Sequence, residues 1–275
     1  MKIYLNGQII AEEDARISVY DRGFLYGDGL FETIRVSGGI LSHWAEHLHR
    51  LRTSASQLKL RLPWPNETLT KIARELLEVN QFTEGVLRLQ CTRGPGSRGY
   101  SPRGADQPTL LITLHPLPPL TSPVPTWRVR TASPRVFSGD VLATMKTTNR
   151  LLYILARAEA EAAGADEALI LNERGEVAET SSGNIFCFEQ DRLLTPPIHG
   201  GILPGVTRAV ILALAQKIGI PCKEVFFTPQ QMQQSQGAFI SLSSYGIVRI
   251  TELDGKPCPA CSKVDTLTSA LFSVK

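Results

Sequence analysis

Apolar and polar positions change period several times along the chain, and each change predicts an element. Lys2 to Leu5 alternates, Asn6-Gly7 is the dipeptide of a type I′ turn, and Gln8-Ile9-Ile10 returns, so a hairpin opens the chain. Helical spacing takes over at Trp44, where Leu48, Leu51, Ala55 and Leu58 fall on one face. A second helix is predicted over Glu67 to Glu78, and strands over Gly85 to Thr92 and Thr109 to Leu114. The segment from His115 to Pro125 then holds five prolines in eleven residues. Proline lacks a backbone donor and fixes φ, so this stretch continues neither helix nor ladder and reads as a linker.

Beyond it, Trp127 to Ala132 reads as a strand leading up to Lys146. Leu151 to Ala163 is rich in Leu, Ala, Glu and Arg, and Gly164 stops that helix. Glu167 to Leu171 is a short apolar strand, Asn172 to Gly175 a polar turn, and the next strand runs from Val177 to carry Glu179. Gly200-Gly-Ile-Leu-Pro-Gly-Val-Thr-Arg opens a helix over Ala209 to Ile218. Phe239 to Ile250 reads as strand, small-residue turn and strand, and Thr266 to Val274 as a packing helix.

At 275 residues the chain suffices for two modest domains. A net charge of +3 argues against nucleic acid or a membrane surface as the main partner. The start Met1-Lys-Ile-Tyr-Leu lacks the apolar region of a signal peptide, and no run approaches the ~20 apolar residues that span a bilayer. A cytoplasmic place with reduced thiols is expected for the five cysteines. Cys258 and Cys261 form one isolated CxxC with no second ligand pair, so no metal is expected. His47 and His49 are two apart and cannot share a helical face.

The candidate chemistry lies between Met145 and Phe188. Lys146 sits just outside a helix and Glu179 near a strand end, so the two could face one flat ligand from opposite ends. A lysine that condenses with an aldehyde and a carboxylate that keeps a pyridine nitrogen protonated are the needs of pyridoxal phosphate chemistry. Taken alone, each is an ordinary surface residue. A glycine-rich loop at a helix N-terminus, as at Gly200 to Arg208, suits a phosphate through free amides and the helix dipole. The loop Arg93-Gly-Pro-Gly-Ser-Arg-Gly-Tyr-Ser-Pro carries two arginines suited to a carboxylate-bearing substrate.

Lys146-Thr-Thr-Asn-Arg, Ala165-Asp-Glu-Ala-Leu and Glu179-Thr-Ser-Ser-Gly-Asn-Ile-Phe together resemble the class IV, or fold-type IV, pyridoxal-phosphate enzymes. These include branched-chain and D-amino acid aminotransferases and 4-amino-4-deoxychorismate lyase. The likeness covers nearly the whole chain, from the Asn6-Gly7 hairpin through Tyr26-Gly-Asp-Gly-Leu-Phe-Glu-Thr. It implies a two-domain α+β / α/β fold: a small α+β domain over 1–115, a linker over 116–124, and a larger cofactor-binding domain with a barrel-like sheet over 125–275.

The resemblance also implies roles. Lys146 is the catalytic amine. Glu179, Arg50, Val206, Thr207 and Ser243 join it in binding pyridoxal 5′-phosphate. Arg98, Tyr100, Phe31 and Ser244 meet a small carboxylate substrate, and Phe31 and Glu32 alternate across a strand so that only one points at it. The loop from Arg93 to Tyr100 resembles that of the lyases. D-amino acid aminotransferases carry histidine where Tyr100 stands and tyrosine where Phe31 stands, and branched-chain enzymes carry leucine where Arg98 stands. A lyase is therefore expected, with an aminotransferase as the alternative. Many relatives have proline in place of Arg249. A homodimer with loops reaching the partner's site is implied as well.

Overall fold

The computed structural model describes residues 1–120 and 123–273. Thr121 and Ser122 of the expected linker, and Val274 of the expected terminal helix, lie outside the described residues. The chain divides into two compact units: residues 1–119 with 145–149, and residues 120–144 with 150–275. The short strap carrying Lys146 thus groups with the first unit, although the chain reaches it only after entering the second.

In the first unit, β1 (Lys2–Leu5), β2 (Gln8–Ala11), β3 (Gly29–Ser37), β4 (Ile40–Leu41), β5 (Glu84–Thr92) and β6 (Thr109–Pro116) form an antiparallel sheet of order β2-β1-β6-β5-β3-β4. Asn6 and Gly7 both take positive φ, 46° and 101°, as the type I′ turn needs. Alternation splits β3 into two faces. Leu30, Ile34 and Val36 enter a core with Leu87, Leu89, Leu110 and Ile112. The helices α2 (Trp44–Gln57) and α3 (Asn66–Val79) cover that core with Leu48, Leu51, Ala55, Leu69, Ala73 and Leu76. The expected turn before β3 contains a one-turn helix, α1 (Arg22–Tyr26), whose N-cap Asp21 accepts from the Gly23 amide at 2.7 Å.

The second unit holds β7 (Thr126–Val136), β8 (Glu167–Asn172), β9 (Val177–Thr180), β10 (Asn184–Glu189), β11 (Arg192–Thr195), β12 (Cys222–Glu224), β13 (Ala238–Leu242), β14 (Gly246–Leu253) and β15 (Lys256–Pro257). The pairings β10-β13-β14-β7-β8-β9 return to β10 through Asn184 and Glu179, so six strands close on themselves as a barrel. A parallel β7–β8 pair needs a crossover, supplied by α4 (Leu151–Ala162). Helices α5 (Val206–Lys217) and α7 (Ser262–Ser273) pack on Phe186, Phe188 and Phe239, while α6 (Pro229–Gln233) is a single turn with a capping box. Helix α5 starts three residues before the expected Ala209, so Val206 and Thr207 lie inside its first turn. No helix among the described residues is long and apolar enough to cross a membrane.

Candidate active site

In the first unit the Lys146 strap lies along the start of β3. The Phe31 amide donates to the Lys146 carbonyl at 2.9 Å, and the Thr148 amide donates to the Gly29 carbonyl at 2.9 Å. Met145 anchors the strap in the core, and the Thr148 hydroxyl donates to the Gly27 carbonyl at 2.8 Å. Gly27 ends α1 at φ 67°, and a Cβ there would stand 3.0 Å from the Asn149 Cβ. This explains one glycine of the Tyr26-Gly-Asp-Gly run: it combines a left-handed cap with close approach of the strap.

The strap places the Lys146 Nζ 4.7 Å from the centroid of the Phe31 ring. The Arg88 guanidinium lies on the same ring at 3.8 Å. Phe31, Thr33, Arg88 and Gln90 share one face of the β3–β5 pair, opposite the core. Arg88 was not singled out by the sequence; strand alternation over Val86 to Gln90 was the available signal.

Glu32 points the other way, into the core, and only 1% of it is exposed. A carboxylate there requires donors, and α2 supplies them. Arg50 donates through Nε to Oε1 at 2.9 Å and through Nη2 to Oε2 at 2.6 Å, and His47 Nδ1 lies 2.7 Å from Oε2. Burial alone would raise the Glu32 carboxyl, but the bonds from His47 and Arg50 prevail and hold it at about 2. Burial pushes the His47 ring below its usual value against the pull of Glu32. The ring is thus a neutral Nδ1–H donor, and Arg50 is fixed by two bonds.

Arg98 and Tyr100 lie on the loop after β5, and Tyr100 is 89% exposed. Buried Arg22 clasps that loop, with Nη1 on the Gly99 and Ser101 carbonyls at 2.9 and 3.2 Å and Nη2 on Tyr100 O at 3.2 Å. The Gly99 amide donates to the Tyr26 hydroxyl at 2.9 Å, and the Tyr26 and Tyr100 rings meet edge to face. Among the described residues the Arg98 side chain has no hydrogen-bond partner in this chain.

In the second unit Glu179 lies on β9, 4% exposed. Its Oε1 accepts from the Tyr153 hydroxyl at 2.8 Å. Its Oε2 accepts from the Leu203 amide at 3.1 Å and from Asn184 Nδ2 at 3.4 Å. Behind it, fully buried Glu167 accepts from the Ser181 and Ser182 hydroxyls and faces Arg157 Nη1 at 3.2 Å, pinning the turn between β9 and β10. Asn184 Nδ2 also donates to the Leu203 carbonyl at 2.9 Å. A Cβ at Gly205 would collide with Asn184 Oδ1.

Gly205 is the N-cap of α5 and offers no side-chain cap. The first-turn amides of a helix have no helical carbonyl to bond, so Val206 and Thr207 present donors there. Asn184 is paired on the adjacent strand β13 with Ser241, whose hydroxyl is buried without a partner. Ser243 and Ser244 lie in the turn that follows, between β13 and β14. The second unit thus brings Glu179 and the α5 N-terminus together through Asn184 and Leu203. Tyr153, Asn184, Leu203 and Glu167 were not assigned roles from sequence. Asn184 stood within a recognised motif, but Tyr153 reads simply as helix packing.

Among the described residues no group of three or more His, Cys, Asp and Glu could hold a metal ion. The five thiols are free, and those of Cys91 and Cys187 are pushed by burial up to about 12.

A family profile described as amino-transferase class IV matches residues 29–253. A provisionally named branched-chain-amino-acid aminotransferase of Methanocaldococcus jannaschii is 39% identical, with 93% of this chain and 89% of that protein aligned. A D-alanine aminotransferase of Staphylococcus aureus is 34% identical over 93% and 90%. Among solved structures, a provisionally named 4-amino-4-deoxychorismate lyase of Legionella pneumophila superposes with TM-score 0.89 at 29% identity, covering 96% of this chain and 97% of that one. A branched-chain aminotransferase of Thermoproteus uzoniensis gives 0.92 at 30%, covering 99% and 93%.

Proposed function

The chain belongs to the class IV aminotransferase family of pyridoxal-phosphate enzymes, and from that premise we propose that it is an aminodeoxychorismate lyase, forming 4-aminobenzoate and pyruvate. The residues present fit the cofactor. The uncapped start of α5 suits its phosphate, and the unpartnered buried Ser241 hydroxyl lies on the strand position paired with Asn184. Glu179 offers a carboxylate whose two oxygens are already oriented. When bound, pyridoxal phosphate supplies an aldehyde that condenses with amines and a ring that accepts an electron pair.

This reading assigns the aldehyde to Lys146 and the ring nitrogen to Glu179. The phosphate goes to the Val206 and Thr207 amides, Ser243 and Arg50. With its amine free and neutral, Lys146 would be the base that takes the proton from the amine-bearing ring carbon of the substrate. The carbon–oxygen bond to the enolpyruvyl group then breaks. That group leaves with the electron pair, takes up a proton and becomes pyruvate, while the ring becomes aromatic. Aromatisation drives the step, so no oxo-acid acceptor is required.

The observation that carries the reading is a pair of arginines. Arg98 stands on the clasped loop and Arg88 on the Phe31 face, and aminodeoxychorismate carries two carboxylates. Phe31 and Tyr100 join them as substrate contacts, with Ser244. The likeness to the Legionella protein agrees with this choice. Aminotransfer is the second reading, favoured by the two curated relatives of 39% and 34% identity. The cofactor residues serve both.

The reading includes a homodimer. Val19, Tyr20 and Phe24, exposed by 66, 66 and 76%, give the first unit an apolar surface for a second copy. The deciding experiment incubates the cofactor-loaded protein with aminodeoxychorismate, and separately with D-alanine or L-leucine plus 2-oxoglutarate. Release of pyruvate and 4-aminobenzoate without an acceptor supports the lyase. Fast acceptor-dependent transfer with no 4-aminobenzoate overturns it in favour of the second reading.

A further inference from the structure

One residue that holds Glu179 lies outside every motif that marks the family. Tyr153 is the third residue of α4, and its hydroxyl donates to Glu179 Oε1 at 2.8 Å. The other carboxylate oxygen has two donors, the Leu203 amide and Asn184 Nδ2, at 3.1 and 3.4 Å. A carboxylate held at one oxygen can still swing about its last torsion. A donor on the second oxygen fixes its plane. Leu203 lies just before α5 and Asn184 opens β10, whereas Tyr153 reaches Oε1 from α4.

Resting on the cofactor reading above, we infer that Tyr153 is a positioning residue for the cofactor's ring-nitrogen partner: it fixes the plane of the Glu179 carboxylate and keeps it an ordered anion. Two features make the phenol suited to this. It stays neutral, because burial first and the adjacent Glu179 second push its ionisation well above the usual range. It is therefore a donor at any working pH. The Arg150 guanidinium lies 4.8 Å from the ring centroid and fixes the ring from the side of the helix start.

A hydrogen bond to a charged group contributes more than one between neutral groups, so removing this one loosens the hold on Oε1. The consequence is selective. Tyr153 touches Glu179 and not the α5 amides, so it serves recognition of the ring and leaves recognition of the phosphate alone.

Tyr153→Phe removes one oxygen and keeps the ring. Equilibrium dialysis of the apoprotein against pyridoxal phosphate, and against inorganic phosphate, reads the two functions separately. The expected result is roughly tenfold or more weaker binding of pyridoxal phosphate with phosphate binding unchanged within about twofold. In turnover the same variant lowers kcat and leaves KM for substrate in place, a split that looser packing does not produce. Equal affinity for pyridoxal phosphate in variant and parent overturns the inference, as does an equal loss for both ligands, which marks a merely structural role. If Tyr153→Phe does not fold, difluorotyrosine placed at 153 keeps the shape and strengthens the donor. It must then tighten pyridoxal phosphate, and unchanged binding overturns the inference. A parent protein that does not bind pyridoxal phosphate at all defeats the cofactor reading instead, so the two failures are distinct.

Discussion

Glu32 and Arg50 form a two-pronged ion pair inside the first unit, Nε to Oε1 at 2.9 Å and Nη2 to Oε2 at 2.6 Å, with Leu30 and Ile34 on either side of the acid along β3. Breaking a buried pair by removing one partner leaves the other charge without compensation. Glu32→Gln is expected to cost about 3–5 kcal/mol of stability, read as a lower urea midpoint at pH 7. On the proposed assignment of Arg50 to the cofactor phosphate, losing both bonds from the acid lowers the affinity for pyridoxal phosphate as well. A variant as stable as the parent would contradict the account of why an acid sits in this core.

The same pair sets the acid limb of stability. Glu32 ionises at about 2 in the folded chain against 4.5 ordinarily. A depressed carboxyl stabilises the fold above its unfolded value and loses that contribution as pH falls towards its folded value. The window is pH 4.5 down to 2, and the amount on the order of 3 kcal/mol. His47, pushed below 6.5 chiefly by burial, acts in the same sense, because acid charges it more readily in the unfolded chain. Urea midpoints at pH 7, 5 and 3 should fall steadily for the parent and flatten below pH 4.5 for Glu32→Gln. Parallel curves would remove Glu32 from the acid transition.

Much of this was legible from spacing. The Asn6-Gly7 hairpin, the α2 stripe of Leu48, Leu51 and Ala55, and the stop of α4 near Gly164 are local consequences of local sequence. Barrel closure was not legible by that route, since it depends on Asn184 meeting Glu179 across two strands, and the resemblance alone implied it. The site divides the same way. Lys146 and Glu179 are candidates because they stand in motifs, but Tyr153 and Arg88 sit on regular elements where periodicity assigns only a face. Their roles come from what the fold sets beside them, Glu179 for one and the Phe31 ring for the other. The one-turn helix at Arg22 was hidden because Gly23 within it and Gly27 and Gly29 after it read as a turn.

Gly205 offers a steric test of the α5 N-terminus. Its φ is −67°, so alanine meets no backbone strain there. The obstacle is Asn184 Oδ1, which the new methyl would strike. Gly205→Ala should therefore cost about 1–3 kcal/mol and displace Asn184, and with it the donor to Glu179 and the Leu203 carbonyl. The measurable outcome is a purified protein that retains little pyridoxal phosphate, with inorganic phosphate binding weakened as well. Full retention would mean that the close packing at Gly205 does not shape the start of α5 for the phosphate.

Arg88 and Arg98 are expected to separate substrate recognition from cofactor binding. Arg88 packs on Phe31 at 3.8 Å, and Arg98 has no hydrogen-bond partner among the described residues. Replacing either by leucine removes a candidate carboxylate partner worth about 1.5–3 kcal/mol, which is roughly a ten- to hundredfold rise in KM. Cofactor content should stay at the parent level in both variants. If Arg88→Leu and Arg98→Leu leave KM for the carboxylate substrate where it was, neither arginine reads the substrate.

The loop that carries Arg98 owes its shape to Arg22, and that dependence can be read without any substrate. Arg22 is 3% exposed and donates to three successive carbonyls, Gly99, Tyr100 and Ser101. Its Nε also meets Asp28 Oδ2 at 2.8 Å, where Arg93 Nε arrives at the same distance. Burial would raise the Asp28 carboxyl, but the bonds from Arg93 and Arg22 prevail and keep it below its usual value. Glutamine in place of Arg22 leaves Asp28 with one cation and cannot span three carbonyls. The loop then loses its clasp while the Gly99 amide on the Tyr26 hydroxyl and the Tyr26–Tyr100 ring contact remain. Trypsin cuts after arginine, and Arg98 and Arg103 both lie in this exposed segment. Under native conditions Arg22→Gln should be cleaved there on the order of tenfold faster than the parent, which corresponds to about 1.4 kcal/mol of lost loop order. Equal cleavage rates in the two proteins would show that the loop is held by something other than Arg22.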